Sequence, residues 1–211
     1  MLWLALALLF LIASHVVPSR HRVKMTLIGM AGRPAFYAGY SFVSVLALAA
    51  VIAAYRSADP GLWLWTPLPA GRYAALALMP FAFLLLVCHF TQRMSAPASF
   101  GIHHVTTTPG SLAVLIWSLV HLLNVGAART VLLFLGMAAI AVAAILKNAG
   151  NTEHGLLGAV PFARILLGRE RFDFREIRFW RVMAALALTT TILLLHPLVI
   201  GVDPLAGLPL P

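Results

Sequence analysis

Residues 35–55 read AFYAGYSFVSVLALAAVIAAY, a run of 21 residues without a charged side chain. A helix of about 20 mostly apolar residues can cross a hydrocarbon core about 30 Å thick. This run therefore predicts a membrane helix, and five further apolar runs accompany it. Together they predict an all-α fold, a polytopic membrane bundle of about six transmembrane helices, at Leu2–Val17, Ala35–Tyr55, Tyr73–Phe90, Ser111–Val125, Thr130–Leu146 and Phe179–Ile200.

The composition of the whole chain agrees with a membrane protein. Hydrophobic residues make up 62% of the 211 residues, charged residues only 10%, and the mean hydropathy is +0.95. Because a soluble domain is about one quarter charged, we expect lipid to replace water over much of this surface. The same composition excludes the disordered, collagen-like and disulfide-rich classes, and the lone Cys88 can form no internal disulfide.

The basic residues predict how the chain is oriented. Of the 15 Lys and Arg, 11 lie in the first, third and fifth connections between the apolar runs, and a twelfth, Arg181, lies at the start of the sixth run beside the fifth connection. Positive charge collects on the cytoplasmic side of a membrane. We therefore expect a multi-pass protein of the cell inner membrane with both termini on the non-cytoplasmic side. We attribute the net charge of +9 to basic residues that orient the protein in the membrane, and we therefore expect no nucleic acid partner.

The fifth connection, residues 147–178, is the only long polar stretch. It opens with the turn-forming residues Asn148, Gly150 and Asn151 and then alternates apolar with small residues before a mixed-charge run. This pattern is typical of a segment that lies on the membrane surface. We predict a single domain over residues 1–211, with 147–178 as its cytoplasmic interfacial segment.

Four histidines are the most informative polar residues within the apolar runs. His15, His89, His121 and His196 lie in four different runs, each toward one end, whereas no acidic residue, Lys or Arg lies centrally. That pattern argues against an ion pump or a carboxylate proton relay. A neutral imidazole is a good haem iron ligand, although a hydrogen bond to backbone is the commoner role for one such residue. From the helix rise per residue, His15 and His121 lie at similar depths in the membrane. The two could therefore share one haem iron, but these depths alone do not select this pair.

The third connection contains the adjacent pair His103 and His104. Two histidines could bind a metal, but no Cys or acidic residue with ligand spacing accompanies them, so an interfacial loop is favoured. Thr108-Pro109 suits a helix start, with Thr as the N-cap and Pro at the first helical position. Motifs of serine hydrolases, P-loop proteins and zinc peptidases are absent from the sequence.

Several motifs, in order along the chain, resemble those of NnrU-domain membrane proteins. They are Ser14–Ser19 followed by Gly29 and Tyr40-Ser41, the segment Gly101–Gly126 with Pro109, Trp117, His121 and Asn124, and Pro161–Ala163, Gly168-Arg169, His196-Pro197 and Gly201. That family includes bacterial proteins associated with denitrification. It also includes the 15-cis-ζ-carotene isomerase of carotenoid synthesis, an integral membrane enzyme that holds haem b.

The resemblance implies haem b as the cofactor, with the iron held axially by His15 and His121. In the isomerase a histidine is thought to exchange for a cysteine one turn earlier, and that position here is Ser118. The family's Thr-Arg-His-Pro at the start of the fourth helix is replaced by Thr106-Thr107-Thr108-Pro109. Both departures weaken the transfer of isomerase activity, but neither alters the histidine pair.

We therefore predict an integral membrane haem b protein of the NnrU type that isomerises or redox-processes an apolar polyene dissolved in membrane lipid. The alternative is a non-enzymatic haem sensor or electron-transfer component linked to nitrogen-oxide metabolism in denitrification. A cofactor-free transporter or assembly factor ranks last. Arg20, Arg22 and Arg169 could neutralise haem propionates, although plain orienting charges are the commoner role.

Overall fold

The computed structural model describes residues 1–92, 101–150 and 152–206. These residues form helices and no multi-residue strand, and one isolated bridge joins Trp63 to Ala127. The helices are α1 Leu2–Val16, α2 His21–Ala31, α3 Arg33–Ser57, α4 Gly71–Thr91, α5 Ile102–Val105, α6 Pro109–Asn124, α7 Ala128–Ala149, α8 Gly155–Ala159, α9 Ala163–Leu166 and α10 Phe179–Val199, with a 3-10 turn at Phe174–Glu176.

The all-α polytopic fold is confirmed, whereas the count of about six spans is not. Within the described ranges, α3, α4, α7 and α10 are long and apolar enough to cross a membrane. Helices α1 and α2 form a pair bent by 79°, which raises the count to five if the pair is one broken span. At 16 residues, α6 is about 24 Å long, which is shorter than the hydrocarbon core.

The bend between α1 and α2 has a local cause. Pro18 follows the last residues of α1, and a proline lacks the backbone N–H that would continue the helical ladder. The chain resumes as α2 only at His21, after Arg20 has adopted an extended conformation. Arg93, which the charge count includes, lies outside the described residues.

The chain divides into two compact units, and the first comprises residues 1–67 and 125–144. In it α1 packs against α3, and the buried residues are leucines on α1 and Ala47 and Val51 on α3. Small residues allow the backbones of membrane helices to approach closely. The buried residues of this core are Leu4, Leu8, Leu11, Ala47, Val51 and Ala58.

Polar contacts hold the start of α7 within the same unit. The hydroxyl of Tyr55 lies 3.0 Å from Oγ1 of Thr130. The Arg129 guanidinium donates to the carbonyl of Ala58 at 2.7 Å and lies over the Tyr55 ring, 5.1 Å from its centroid. These contacts satisfy polar groups at a helix end, where backbone carbonyls lack intrahelical partners.

The second unit, residues 68–124 and 145–211, contains the polar features that matter for function. Helix α4 packs against α6 and α10. Ile102 and Val105 of the short helix α5 are buried in the same core. Because α5 is anchored through these two residues, the intervening His103 and His104 are held against the rest of this unit. The other buried core residues are Leu85, Cys88, Leu112, Ala113 and Ile177.

The segment 147–178 begins with the last residues of α7, which ends at Ala149, and the rest of its described part contains only short helices and returns to this unit. Phe162 has a left-handed backbone, with φ of +63°, which is uncommon for a residue other than glycine. Its N–H donates to the Val105 carbonyl at 2.9 Å, and its ring stacks on Phe81 with centroids 5.9 Å apart. The cytoplasmic, interfacial placement of this segment and the single-domain assignment stay predictions.

Candidate functional site

A buried arginine lies at the centre of a polar cluster in the second unit. The Arg164 side chain is only 2% exposed, and its guanidinium donates to the Glu170 carboxylate and to the backbone carbonyls of His103 and His104. Burial lowers the pKa of Arg164, and the neighbouring Glu170 charge partly offsets that effect. A buried charge is tolerated when it is paired and hydrogen-bonded. Arg164 therefore links α9 to α5.

His104 extends this cluster by lying between two carboxylates. Its Nδ1 is 2.8 Å from Oε2 of Glu170, and its Nε2 is 3.3 Å from Oε2 of Glu176. With both ring nitrogens facing acceptors, His104 holds the carboxylates in place. Among the residues that the structure describes, no group of three or more His, Cys, Asp or Glu is arranged to hold a metal ion.

The start of α5 is capped by side chains that are distant in sequence. Glu176 accepts a hydrogen bond from the Gly101 N–H at 2.6 Å, and the Gln92 side-chain oxygen accepts one from the Ile102 N–H at 3.1 Å. Gln92 in turn donates to the Glu176 carbonyl at 3.1 Å. Since the first N–H groups of a helix have no intrahelical acceptor, these contacts stabilise a helix that is too short to persist alone. We call Arg164, Glu170, His104, Glu176 and Gln92 the Arg164 cluster.

A cavity of about 270 Å³ adjoins this cluster between the end of α4 and the start of α6. His103 lines it, is only 6% exposed, and has no hydrogen-bond partner at either ring nitrogen among the described residues. Oγ1 of Thr107 and Oγ1 of Thr108 are likewise buried without a partner there. Its other polar lining residues are His89, Gln92, Ser111 and Asn148. We call this space the α6 cavity.

The lowered pKa of His103 predicts how the folding stability of the protein changes with pH. Burial lowers that pKa below its usual value of about 6.5. The nearby positive charges of His89, Arg164 and His104 lower it further, whereas the Gln92 backbone raises it. Below pH 6.5 the unfolded chain therefore binds a proton that folded His103 does not, so stability falls as pH falls.

We expect the thermal midpoint in chloride buffer to decrease between pH 7.5 and 5, and to decrease less in His103→Gln. Thermal unfolding of the two proteins across that range measures the difference. Parallel pH profiles of the two proteins would show that His103 does not contribute to the pH dependence of stability.

The two predicted haem ligands have the same local geometry, although they belong to different units. Nδ1 of His15 donates to the Leu11 carbonyl at 2.9 Å, and Nδ1 of His121 donates to the Trp117 carbonyl at 2.7 Å. Because a carbonyl can only accept, these bonds place the proton on Nδ1 and the lone pair of each neutral ring on Nε2. Histidines that bind metals commonly donate their other N–H in this way. The donor chemistry therefore fits a haem iron, and the pairing of the two residues stays a prediction.

The remaining histidines of the apolar runs lie elsewhere in the second unit. Nδ1 of His196 lies 2.8 Å from the Val202 carbonyl, which is beyond the end of α10. His89, near the end of α4, lines the α6 cavity and approaches Gly110, where an added Cβ would lie 2.7 Å from the His89 ring. The structure thus brings His89 and His103 to one cavity, an association that the sequence did not predict.

Ser118 occupies the position where the isomerase has a cysteine. It is fully buried, and its hydroxyl donates to the Val114 carbonyl at 2.8 Å. A hydroxyl in this arrangement offers no thiolate to an iron atom. Arg20, Arg22 and Arg169, the possible propionate partners, are all exposed.

Sequence reasoning missed the buried arginine and assigned one capping role incorrectly. The sequence identifies Arg164 only as an orienting charge, and its apolar neighbours gave no reliable signal of burial, because Phe162 and Leu166 are themselves exposed. Helix α6 does begin at Pro109, as predicted. The Thr108 side chain is not its cap, however, because Oγ1 of Thr108 has no partner within the described part of the chain. The backbone N–H of Thr108 donates to Oγ1 of Thr106 at 3.3 Å.

The fold and these sites define a class: a polytopic, all-α membrane protein with histidines near the ends of its apolar helices. Comparison with protein families shows a match to the family described as NnrU protein over residues 1–204. The chain therefore belongs to the NnrU family. No curated protein and no solved structure gave a match.

Proposed function

We propose that this NnrU family protein binds haem b within the membrane, with His15 and His121 as the axial ligands of the iron. The observation that carries the proposal is that each histidine donates from Nδ1 to the carbonyl four residues earlier. This bond fixes the tautomer that leaves Nε2 as the ligating atom, and it restrains the ring before a metal arrives. Bound haem b would supply one-electron exchange and an iron centre for ligands.

The residues around each histidine agree with this role. The His15 ring packs edge-on against Tyr40, with centroids 5.8 Å apart, and the His121 ring lies 5.2 Å from Trp117. Aromatic neighbours restrict the rotation of an imidazole and supply apolar surface for a macrocycle. The chain would therefore contribute ligand orientation and exclusion of water, whereas the redox chemistry belongs to the cofactor.

Two uses of such a haem differ in their demands on the protein. Isomerisation or redox processing of an apolar polyene needs access from the lipid, and the family's isomerase is thought to use a cysteine that Ser118 replaces here. A sensor or electron-transfer role in nitrogen-oxide metabolism needs only the histidine pair. The buried Ser118, bonded to the Val114 carbonyl, favours the second role.

An absorption spectrum of the detergent-solubilised protein, produced with an adequate haem supply, tests the proposal. We expect a Soret band and the pyridine haemochrome spectrum of haem b. A protein that is folded but has no Soret band would contradict haem binding.

Two incubations then separate the roles. Nitric oxide is added to the reduced protein, and cis-polyenes are added to a second sample whose isomers are resolved by chromatography. A spectral change with nitric oxide and no new polyene isomer supports sensing or electron transfer, whereas turnover of the polyene supports the enzyme.

A further inference from the structure

The α6 cavity lies at the N-terminus of α6, an apolar helix of 16 residues. Thr108, Pro109, Gly110 and Ser111 line it, and α6 begins at Pro109. The first N–H groups of a helix have no intrahelical acceptor, and the helix dipole places roughly half a positive charge there. Such a helix end favours a negatively charged group.

Side chains give a second, independent indication of a ligand. His103 is 94% buried at the cavity, and neither ring nitrogen has a hydrogen bond of good geometry within the described ranges, although the Gln92 backbone lies near enough to raise its pKa. The hydroxyl oxygens of Thr107 and Thr108 are also buried, and they have no hydrogen-bond partner within the described ranges. Leaving a buried polar group unsatisfied costs about 1–3 kcal/mol. These side chains indicate a bound group that accepts several hydrogen bonds, because both hydroxyls and one N–H of a neutral imidazole can donate, and a protonated imidazole adds a second N–H.

The charges around the cavity select the sign of that group. His89 lines the cavity with His103, and His104 and Arg164 also interact electrostatically with His103. Of the nearby carboxylates, Glu170 contacts His104 and Arg164, and Glu176 contacts His104. The described lining residues include no Asp or Glu. A negative ligand would therefore be stabilised by the helix end and by a positively charged His103.

We propose that the α6 cavity binds an oxyanion, with the α6 N-terminus, Thr107, Thr108 and His103 as its donors. At about 270 Å³ the cavity is smaller than the roughly 300–1,000 Å³ of typical ligand pockets. It therefore suits a small anion or a single charged group of a larger molecule. The inference does not depend on haem. The charged group belongs to a free ion, to the headgroup of an anionic lipid or to a haem propionate, and the test separates these sources.

The primary test is calorimetric titration of the solubilised, haem-free full chain with inorganic phosphate and with nitrate at constant ionic strength, with chloride as the control. We expect saturable binding of at least one oxyanion. Thr108→Val keeps the shape of the side chain but removes the donor, so it should weaken binding at least tenfold. Thr108→Ser keeps the hydroxyl and should bind within about threefold of wild type. Thr26→Val, at an exposed threonine of α2, is the matched control and should bind normally.

The pH dependence provides a further arm of the test. An anion beside His103 favours the imidazolium, so the oxyanion should bind more tightly at pH 5.5 than at pH 8. The expected difference is about tenfold for one pKa unit of coupling. His103→Gln should remove most of this difference while leaving the thermal unfolding transition cooperative.

The source of the group follows from competition. If phosphatidylglycerol vesicles abolish phosphate binding and phosphatidylcholine vesicles do not, the group is a lipid headgroup. If loading the protein with haem abolishes phosphate binding, the group is a haem propionate. If neither the vesicles nor haem abolishes phosphate binding, the group is a free ion.

Three results would overturn the proposal. These are equal oxyanion affinity in wild type and Thr108→Val, absence of any oxyanion binding by the folded protein at pH 5.5, and binding of Zn²⁺ that needs His89 and His103 but excludes phosphate. The last result would make the cavity a metal site.

Discussion

His121→Ala and His15→Ala are each expected to lose more than nine-tenths of the bound haem b and with it the Soret absorption. Removing either imidazole would take away a proposed ligand of the iron, and alanine offers no donor in its place. The Nδ1 bonds to the Leu11 and Trp117 carbonyls place the lone pair of each neutral ring on Nε2, which is one of the two atoms through which histidine binds metals. The measurement is haem per protein from the pyridine haemochrome, with the absorption spectrum of each purified variant.

Controls separate loss of a ligand from loss of the fold. His21→Ala removes an exposed histidine of α2 and should retain wild-type haem content. His121→Met should keep part of the haem and shift its spectrum and midpoint potential, because a thioether can replace an imidazole as a ligand. If both alanine variants keep an unaltered Soret band, His15 and His121 are not the ligands.

Arg164→Met is expected to destabilise the second unit by about 3–5 kcal/mol. The arginine is buried and bonded to Glu170 and to the carbonyls of His103 and His104. Methionine fills a similar volume, but it removes the guanidinium from Glu170, which keeps its contact with His104, and it leaves the α5 carbonyls without their donor. Uncompensated burial of a charge is the main cost in such a variant. Unfolding in mixed micelles with increasing dodecyl sulfate measures the change.

A matched pair of variants tests the cause of that loss. Arg169→Met removes an exposed arginine five residues away and should change stability by less than about 0.5 kcal/mol. Arg164→Met combined with Glu170→Gln removes both charges and should be more stable than Arg164→Met alone. Equal stability of Arg164→Met and Arg169→Met would show that the buried pair contributes nothing to the fold.

The membrane helices were predictable because their cause is local. In lipid a backbone must satisfy its hydrogen bonds within its own segment, so an apolar run of sufficient length specifies a helix wherever it lies in the chain. The run predicted at Tyr73–Phe90 is the helix Gly71–Thr91, and Pro109 begins α6 as its chemistry requires. The number of crossings was less predictable, because α1 and the more polar α2 meet near Pro18 with a bend of 79° and count as a span only if they are taken together.

The amino-acid sequence by itself therefore determined the fold class, the helix positions and, through its motifs, the family and the candidate ligands His15 and His121. Only the tertiary structure showed that Arg164 is buried against the His103 carbonyl, 61 residues away in sequence, and that His89, His103 and Thr108 meet at one cavity. The physical reason is that helix formation in lipid depends on consecutive residues. A buried ion pair or a cavity depends instead on which distant segments pack together, and no short stretch of sequence specifies that.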